Sequence, residues 1–518
     1  MKKLHYFFLG SMFVVIFILM PIGGCKKSPS IPQAPVAIDT GSLEINQFIY
    51  YNLSAYYLWT DSVPKLDYYV YFHNSSDSVN NFLSQYKDHA QLFYSLLYKY
   101  PNADRNSWIV DDYVALLNLF QGITKSLGYS YGLGLIGSTH NVFGYVQYVV
   151  KGSPADNAGV KRGDVFIKIN NQQLTDANYQ TLLTDSVGYT LSFATIANHT
   201  ITPNGRTASM VATVVYENPV YYDTIFNVNN YKVGYLVYNG FIGDYDIQLN
   251  QVFSTFKGAG VNKLILDLRY NGGGAIQSAL YLASMIYTTA GGKVFTKYNY
   301  NNAYANYLMN NFGPSKFTDY FTDIIAQDGT APQTPISNLG LTDLYVITTH
   351  NTASASELII NGLRPYINVV TIGDTTYGKN VGSMTIPDYL YDANGNLIYD
   401  ANGYPEVNPN NKWALQPIIL KMSNSQNQSN YGIVGFAPTV YAPEDIGNIL
   451  PFGNPNETML KAAVNYIQGL KSAPAPSRGF RKFADSKDRI PHSKEMYTNK
   501  PIQKGFLKDF LKKKSGRK

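Results

Sequence analysis

The segment from Leu264 to Gly274 reads LILDLRYNGGG, and it decides the fold class. Its apolar run, interrupted by a single aspartate, is typical of a strand that is buried on both faces. Asn271 and three glycines then end the strand in a turn. A helical pattern follows from Gln277 to Tyr287. This succession of strand, glycine turn and helix indicates an α/β domain with a mainly parallel sheet.

The alternation of strands and helices continues on both sides of this segment. The predicted strands are 233–237, 344–348 and 369–373, and the predicted helices are 244–257 and 355–363. Two polar insertions interrupt the pattern, at about 298–337 and 389–412. The second insertion carries Asp-Ala-Asn-Gly twice, at 392–395 and 400–403. Asn-Gly pairs favour hairpin turns, although a calcium loop would also use Asp and Asn.

A different pattern precedes this core. Residues 152–170 read GSPADNAGVKRGDVFIKIN, a turn, a short helix, a second turn and a strand. Over about 90 residues this part resembles a bacterial PDZ domain. The resemblance implies that Leu133, Gly134 and Leu135 form a loop whose N–H groups hold a peptide carboxylate, beside a strand edge that pairs with an extended peptide. A small β-domain with a purely structural role is the alternative.

The whole chain is therefore expected to be a multidomain α+β protein. Its parts are a signal peptide (1–25), a tether (26–41), a helical N-terminal domain (42–127), a PDZ-like β-rich domain (128–217), an α/β core (218–470) and a basic, disordered tail (471–518). In the helical domain, Val79, Phe82, Leu83 and Tyr86 share one face of a predicted helix over 78–98.

The N-terminus resembles the leader of a bacterial lipoprotein. Two lysines precede an apolar run from about Phe7 to Ile22, which is short for a membrane-spanning helix. Two glycines then lead to Cys25, the only cysteine of the chain. This order predicts lipidation of Cys25 and a membrane-anchored protein that faces the periplasm or the exterior. An ordinary signal peptide with an incidental cysteine is the alternative.

The net charge of +6 is unevenly distributed. Residues 471–518 hold 15 basic and 4 acidic side chains, so the tail carries +11 and the remaining chain −5. A mildly acidic body argues against binding of nucleic acid, which requires positive charge on a folded face. The tail is expected to be a solvated extension. Contact with anionic lipid or with a polyanionic envelope polymer is the alternative.

Three motifs follow successive predicted strands, at the edge where open α/β sheets bind their ligands. They are 271–274 (NGGG), 351–357 (NTASASE) and 377–379 (YGK). Together with 267–269 (DLR), these motifs resemble the C-terminal processing (tail-specific) peptidases, serine proteases with a tricorn-like core. The resemblance covers about 128–443 and implies that Ser354 is the nucleophile and Lys379 the general base.

The chemistry agrees with this resemblance. A serine hydroxyl is a poor nucleophile until a base takes its proton, and a lysine can be that base when burial disfavours the ammonium form. A serine at a helix start lies near free N–H groups that stabilise an oxyanion, here the N–H of Ala355 with that of Gly272 or Gly273. The family often has a glutamine four residues after the lysine to orient it. This chain has Ser383 there.

Several alternatives remain open for these residues. Ser354 and Glu357 have the spacing of a capping box, a purely structural feature that is compatible with catalysis. Ser356 is a fallback nucleophile, and His350 would be the base of a histidine dyad.

The sequence thus predicts a serine endopeptidase that cleaves envelope or unfolded proteins with a Ser/Lys dyad, without cofactor or metal. Its expected partners are a peptide substrate, recognised as a segment or C-terminus, and the membrane, but not nucleic acid. An inactive relative that acts as a peptide-binding module is the main alternative, and an envelope scaffold that uses the tail is a weaker one.

Overall fold

The structure is a computed structural model. It describes residues 40–184, 186–326, 333–392, 396–401, 405–470, 480–489, 493–498, 506–507 and 509–510. The predicted leader, Cys25 and the tether lie outside these residues, as do most of the predicted Asn-Gly turn positions in the second insertion. Among the helices described, none is both long enough and apolar enough to span a membrane.

The N-terminal part is helical, as predicted. Its helices are Thr40–Tyr56, Tyr68–Tyr71, Ser76–Leu83, His89–Ser95 and Tyr113–Phe120, with 3-10 turns at Thr60–Ser62 and Pro64–Leu66. The single helix predicted over 78–98 is wrong, because the chain forms two helices there. The amide of Asn46 donates to the carbonyl oxygens of Leu83 and Tyr86, both at 2.9 Å. Asp88 then caps the second helix by accepting from the N–H of Gln91 at 3.1 Å.

A seven-stranded antiparallel sheet forms the PDZ part. Its own strands are Tyr129–Ile136, Val142–Val149, Val165–Ile169, Gln172–Gln173, Gly188–Ala197 and Thr200–Val211, and its short helices are Pro154–Asn157 and Tyr179–Leu182. The prediction that Leu133, Gly134 and Leu135 form a loop is wrong, because all three lie within the first strand. The glycines there make room for rings. A Cβ on Gly134 would stand 2.5 Å from the ring of Phe143.

The predicted α/β core is confirmed as a six-stranded sheet. In spatial order its strands are Val220–Val228, Tyr231–Tyr238, Lys263–Asp267, Asp343–Thr348, Asn368–Gly373 and Val440–Tyr441. The first pair is antiparallel and all other pairs are parallel. The main helices are Asp246–Ala259, Ile276–Ile286, Ala355–Leu363 and Thr458–Ile467, and a 3-10 turn is at Gly243–Tyr245. The parallel strands end at one edge, where the candidate site lies.

A second, mixed six-stranded sheet was not predicted. In spatial order it contains Gly274–Ala275, Met496–Tyr497, Val381–Ser383, Ile418–Ser423, Val294–Tyr300 and Thr318–Tyr320. Smaller ladders join Trp108–Val110 and Ile386–Pro387 to Ala414–Gln416, Ile123–Ser126 to Thr213–Tyr216, and Ile324–Ile325 to Thr334–Pro335. The first polar insertion holds a helix, Asn302–Phe312, and a 3-10 turn, Pro314–Phe317.

The tail is not a solvated extension where the structure describes it. Phe480–Asp485 is a strand at the edge of the PDZ sheet, followed by the short helix Ser486–Arg489. Met496–Tyr497 is a strand inside the second sheet. The charge pattern misled the prediction because apolar residues lie between the basic ones. Phe480 packs on Phe143 with ring centroids 5.0 Å apart, and Met496 is fully buried.

A buried charge cluster joins the PDZ part to the core. The guanidinium of Arg269 is fully buried and bonds Asp267 at 2.7 Å and Glu457 at 2.8 Å. Arg162, from the PDZ turn, donates to the hydroxyl of Tyr270 at 2.9 Å and to Glu444 at 3.3 Å. Buried charges are tolerated when each one has a partner, so these groups hold the two parts together only as a set.

We expect Arg269→Met to destabilise the fold by about 3–5 kcal/mol, because it strands two buried carboxylates. Urea denaturation at pH 7 measures this cost. Burial by itself would raise the pKa of Glu457, but Arg269 outweighs burial and lowers the pKa to about 2. A lowered pKa stabilises the folded chain above the ordinary value of 4.5, and this contribution is lost as the pH falls through about 2. The difference in free energy of unfolding between the wild type and Arg269→Met should therefore decrease as the pH is lowered from 4.5 to about 2.

The control is Arg206→Met, because Arg206 also bonds an aspartate but is 39% exposed. An exposed ion pair contributes up to about 1 kcal/mol, so the control should stay near the wild type. Equal losses in the two variants would contradict the assignment of Arg269 to an essential buried cluster.

Candidate active site

Ser354 lies at the turn between the core strand Asp343–Thr348 and the helix Ala355–Leu363. Its backbone has φ +61° and ψ −116°, which is rare for a residue that is not glycine and is characteristic of strained functional turns. The residue is fully buried. Its hydroxyl donates to the carbonyl oxygen of Lys494, from the tail, at 3.0 Å.

Lys379 reaches the same oxygen from the other side. Its side chain is fully buried, and its Nζ donates to the Lys494 carbonyl oxygen at 3.0 Å and to Glu495 Oε2 at 3.1 Å. Since Ser354 Oγ and Lys379 Nζ each lie 3.0 Å from one atom, they cannot be farther apart than twice that distance. The structure therefore brings together the two residues predicted to form the dyad.

A glycine positions this lysine. Gly378 has φ +92°, and a Cβ on it would stand 2.6 Å from the carbonyl carbon of Ile433. An L side chain would meet both backbone strain and a backbone clash there. Arg105, from the helical N-terminal part, donates to the carbonyl oxygen of Gly378 at 2.6 Å. The lysine turn is thus held from two sides.

The carboxylate of Glu357 connects the serine turn to the lysine turn. Its Oε2 accepts from the backbone N–H of Ser354 at 2.9 Å and from that of Lys379 at 2.8 Å. Its Oε1 accepts from the hydroxyl of Thr376 at 2.6 Å and from the N–H of Gly378 at 2.8 Å. Burial raises the pKa of Glu357 to about 7 although these four bonds favour the charged form. One buried side chain therefore fixes the backbone of both dyad residues.

The glycine turn 271–274 lies against the serine turn. The carbonyl oxygen of Asn271 accepts from the N–H of Ala353 at 3.1 Å. The N–H of Gly273 donates to Asn271 Oδ1 at 2.9 Å, and the N–H of Gly274 donates to the carbonyl oxygen of Glu495 at 2.6 Å. In this state the N–H of Gly273 is engaged within its own turn. The oxyanion hole of Ala355 with Gly272 or Gly273 remains a prediction.

Three regions of the chain are similar to known families. Residues 232–416 match peptidase family S41, residues 145–186 match a PDZ domain, and residues 44–109 match the peptidase S41 N-terminal domain. Two of these three matches, over 44–109 and 232–416, are thus to peptidase family S41. The resemblance to C-terminal processing peptidases, predicted from the motifs, is confirmed.

The individual relatives of this chain are distant. The carboxyl-terminal-processing protease of Picosynechococcus sp. is 24% identical over 297 residues, which are 54% of this chain and 63% of that protein. The chloroplastic C-terminal processing peptidase of Tetradesmus obliquus is 25% identical over 255 residues, 47% of this chain and 49% of that protein. The chain thus spans less than two thirds of the length of these relatives. A Bacteroides fragilis structure assigned to the S41 proteases shares the fold, with a TM-score of 0.61 and 24% identity over 82% of this chain and 98% of that one.

Ser383, the predicted orienting residue, has a different partner from the one expected. Its hydroxyl lies 3.2 Å from Glu495 Oε2 and 3.1 Å from the carbonyl oxygen of Met496. Lys379 Nζ donates to the same Glu495 oxygen, so the two side chains share an acceptor, and an orienting role of Ser383 remains a prediction. Gln416, which no sequence motif indicated, donates to the Ser383 hydroxyl at 2.8 Å.

The two alternative residues, Ser356 and His350, have other contacts. The hydroxyl of Ser356 donates to the carbonyl oxygen of Asn271 at 3.1 Å, inside the protein. The ring of His350 packs edge-on against Tyr377, with centroids 5.5 Å apart. Burial lowers the pKa of His350. Glu495 is a further residue of the site that no sequence motif indicated, because it lies in a strongly basic segment.

We expect Glu357→Gln to slow the reaction of Ser354 with a fluorophosphonate probe by about 10–100-fold. The glutamine would place its NH₂ group where one carboxylate oxygen now accepts from two donors. Those donors would lose their acceptor, and a buried unsatisfied donor costs about 1–3 kcal/mol. Labelling rates followed by intact mass, with thermal unfolding to check the fold, measure the effect. In the control Ser356→Ala, on the same helix, labelling should continue. Undiminished labelling of a folded Glu357→Gln would contradict the positioning role.

Proposed function

We propose that this chain is a serine endopeptidase with Ser354 as nucleophile and Lys379 as general base. One observation carries the proposal: a peptide carbonyl oxygen, that of Lys494, lies 3.0 Å from both the hydroxyl and the amine. The site therefore accepts a polypeptide backbone at the place where the reaction would occur. The alternative of an inactive peptide-binding module gives no reason for this convergence.

In the proposed reaction, neutral Lys379 takes the proton of Ser354 Oγ while Oγ bonds to the substrate carbonyl carbon. The negative charge that develops on the carbonyl oxygen is stabilised by the N–H of Ala355 and the glycine turn. The lysine then gives its proton to the leaving amine, and the peptide C–N bond breaks. Water, deprotonated by the same lysine, hydrolyses the acyl-enzyme and restores the serine.

The surroundings of the site support a polypeptide substrate. The strand edges Gly274–Ala275 and Val381–Ser383 both pair with one extended segment, so a substrate can bind through its main chain. A cavity of about 360 Å³ adjoins the glycine turn and is lined by apolar side chains that include Leu119, Phe120 and Ile242. We propose that it takes an apolar side chain of the substrate, which is an unfolded or envelope protein presented by the PDZ part.

Cleavage of a chemically denatured protein tests this function. We expect Ser354→Ala to abolish cleavage and Lys379→Ala to reduce kcat by about 10²–10⁴-fold, the usual contribution of a general base. Intact mass should locate the fluorophosphonate label on Ser354 in the wild type. Equal cleavage by the wild type and both variants would refute the dyad.

We further propose that the mature protein is anchored in the cell envelope through lipid on Cys25. The support is the order of charged residues, apolar run and two glycines that ends at this cysteine. The full chain should sediment with membranes and have a mass greater than that of its polypeptide. Cys25→Ser should lose both properties, and a soluble, unmodified wild type would refute the anchor.

A further inference from the structure

The tail occupies the peptide-binding edge of the PDZ part. Phe480–Asp485 runs antiparallel to the strand Tyr129–Ile136, with Phe480 opposite Ile136 and Asp485 opposite Gly132. We call Phe480–Asp485 the groove strand. The ring of Phe483 lies 5.1 Å from that of Tyr179, in the helix Tyr179–Leu182. The tail therefore binds between a strand edge and a helix, as a PDZ peptide ligand does.

Buried polar contacts fix the end of the groove strand. Gln147 donates to Asp485 Oδ2 at 2.7 Å, and the backbone N–H of Tyr131 donates to the hydroxyl of Ser486 at 3.0 Å. Burial opposes ionisation of Asp485, but Lys482 and Gln147 outweigh it, so the pKa of Asp485 is lowered. The groove strand is thus held by charge and hydrogen bonds as well as by its backbone.

Residues 493–498 fill the catalytic cleft, and we call them the cleft segment. Its strand Met496–Tyr497 lies between Gly274–Ala275 and Val381–Ser383 and pairs with both. A Cβ on Gly272 would stand 1.9 Å from the carbonyl oxygen of Ser493. The glycine turn therefore admits the backbone of this segment at a distance that any side chain would prevent.

The cleft segment accepts hydrogen bonds from both residues of the dyad. The carboxylate of Glu495 bonds Lys379 Nζ at 3.1 Å, and both side chains are buried. The hydroxyl of Ser354 donates its proton to the carbonyl oxygen of Lys494 and not to the amine, so the amine is not placed to take that proton. The Lys494 carbonyl oxygen accepts from the hydroxyl and the amine.

We propose that the C-terminal tail is a built-in inhibitor, in which the groove strand docks on the PDZ part and the cleft segment blocks the dyad through Glu495. The inference rests on the proposed peptidase function. A peptide that binds the PDZ groove competes with the groove strand, and a substrate in the cleft competes with the cleft segment. Because both are parts of one chain, each attachment raises the effective concentration of the other. Release of either half therefore weakens the block at the other site.

Glu495→Gln in the full chain tests the inhibitory ion pair. Loss of one partner of a buried charge pair shifts the equilibrium between docked and released tail by more than about tenfold. We therefore expect kcat/KM for a denatured protein to rise at least about tenfold. The labelling rate of Ser354 should rise in parallel. Glu44→Gln is the matched control, because Glu44 is an exposed glutamate of the N-terminal helix. It should leave both rates unchanged.

Phe483→Ser tests the groove half independently, since Phe483 touches the PDZ part and not the dyad. It should also raise kcat/KM and the labelling rate. Hydrogen exchange reports docking directly, because the Gly274 amide is protected by Glu495 and the Tyr131 amide by Ser486. Faster exchange at Gly274 should accompany activation in both variants.

Two results would overturn the inhibitor. One is an unchanged kcat/KM in a folded Glu495→Gln whose Gly274 amide exchanges faster. The other is rapid self-cleavage of the wild type at the Lys494–Glu495 bond, because an inhibitor must resist the enzyme. Failure of the peptidase function looks different: neither wild type nor activated variants would cleave protein or label Ser354, while the exchange data would still show the tail docked.

Discussion

The site depends on a single buried carboxylate. Glu357 accepts hydrogen bonds from the backbone of Ser354, Gly378 and Lys379, so the turn that carries the hydroxyl and the turn that carries the amine have one common support. These turns follow two neighbouring parallel strands, and the ring of His350 also packs on that of Tyr377 between them. The hydrogen bond from the Ser354 N–H to Glu357 helps to hold the strained backbone of Ser354 in place. Glu357 accepts four hydrogen bonds, and the capping-box spacing of Ser354 and Glu357 accounts only for the one from the Ser354 N–H.

The second constraint is the fixed position of the PDZ part on the core. Arg162 projects from the PDZ turn into the core, where it donates to the carbonyl oxygen of Leu450 at 2.8 Å and packs on the ring of Phe452 at 4.0 Å. A buried guanidinium with this many partners resists displacement. Arg162 thus links the PDZ part to the core, and parts of one tail bind to both.

Local sequence predicted the elements whose signals are local. The core strands and the helix over 355–363 follow from apolar runs and spacing, and Ser354 and Lys379 follow from motifs at strand ends. The second sheet could not be predicted, because four of its six strands have only two or three residues and its pairings join distant parts of the chain. The resemblance to a PDZ domain implied a loop at Leu133, Gly134 and Leu135, whereas this stretch is a strand in which Gly132 and Gly134 make room for aromatic rings. Contacts of this kind leave no periodic signal.

The tail shows most clearly why net charge was a poor guide. Its 15 basic side chains dominate any count, yet the groove strand and the cleft segment are defined by a ring, Phe483, and two carboxylates, Asp485 and Glu495. An average over many residues hides a few that have specific partners. Among the described basic side chains, those of Arg481 and Lys482 are exposed while the backbone that carries them pairs with the PDZ part.

Pairing of this kind also bears on how the chain would distinguish one substrate from another. Three strand edges, Tyr129–Ile136, Gly274–Ala275 and Val381–Ser383, are covered by the chain's own tail, so no open edge is left there for aggregation. A substrate that replaces the tail forms the same main-chain hydrogen bonds that it breaks, and these nearly cancel. The choice between substrates then depends on their side chains. What counts is the binding free energy of those side chains compared with that of Phe483 and Glu495, which they replace. A substrate is favoured to the extent that it fills the groove as well as that ring does, while leaving the amine of Lys379 without a carboxylate.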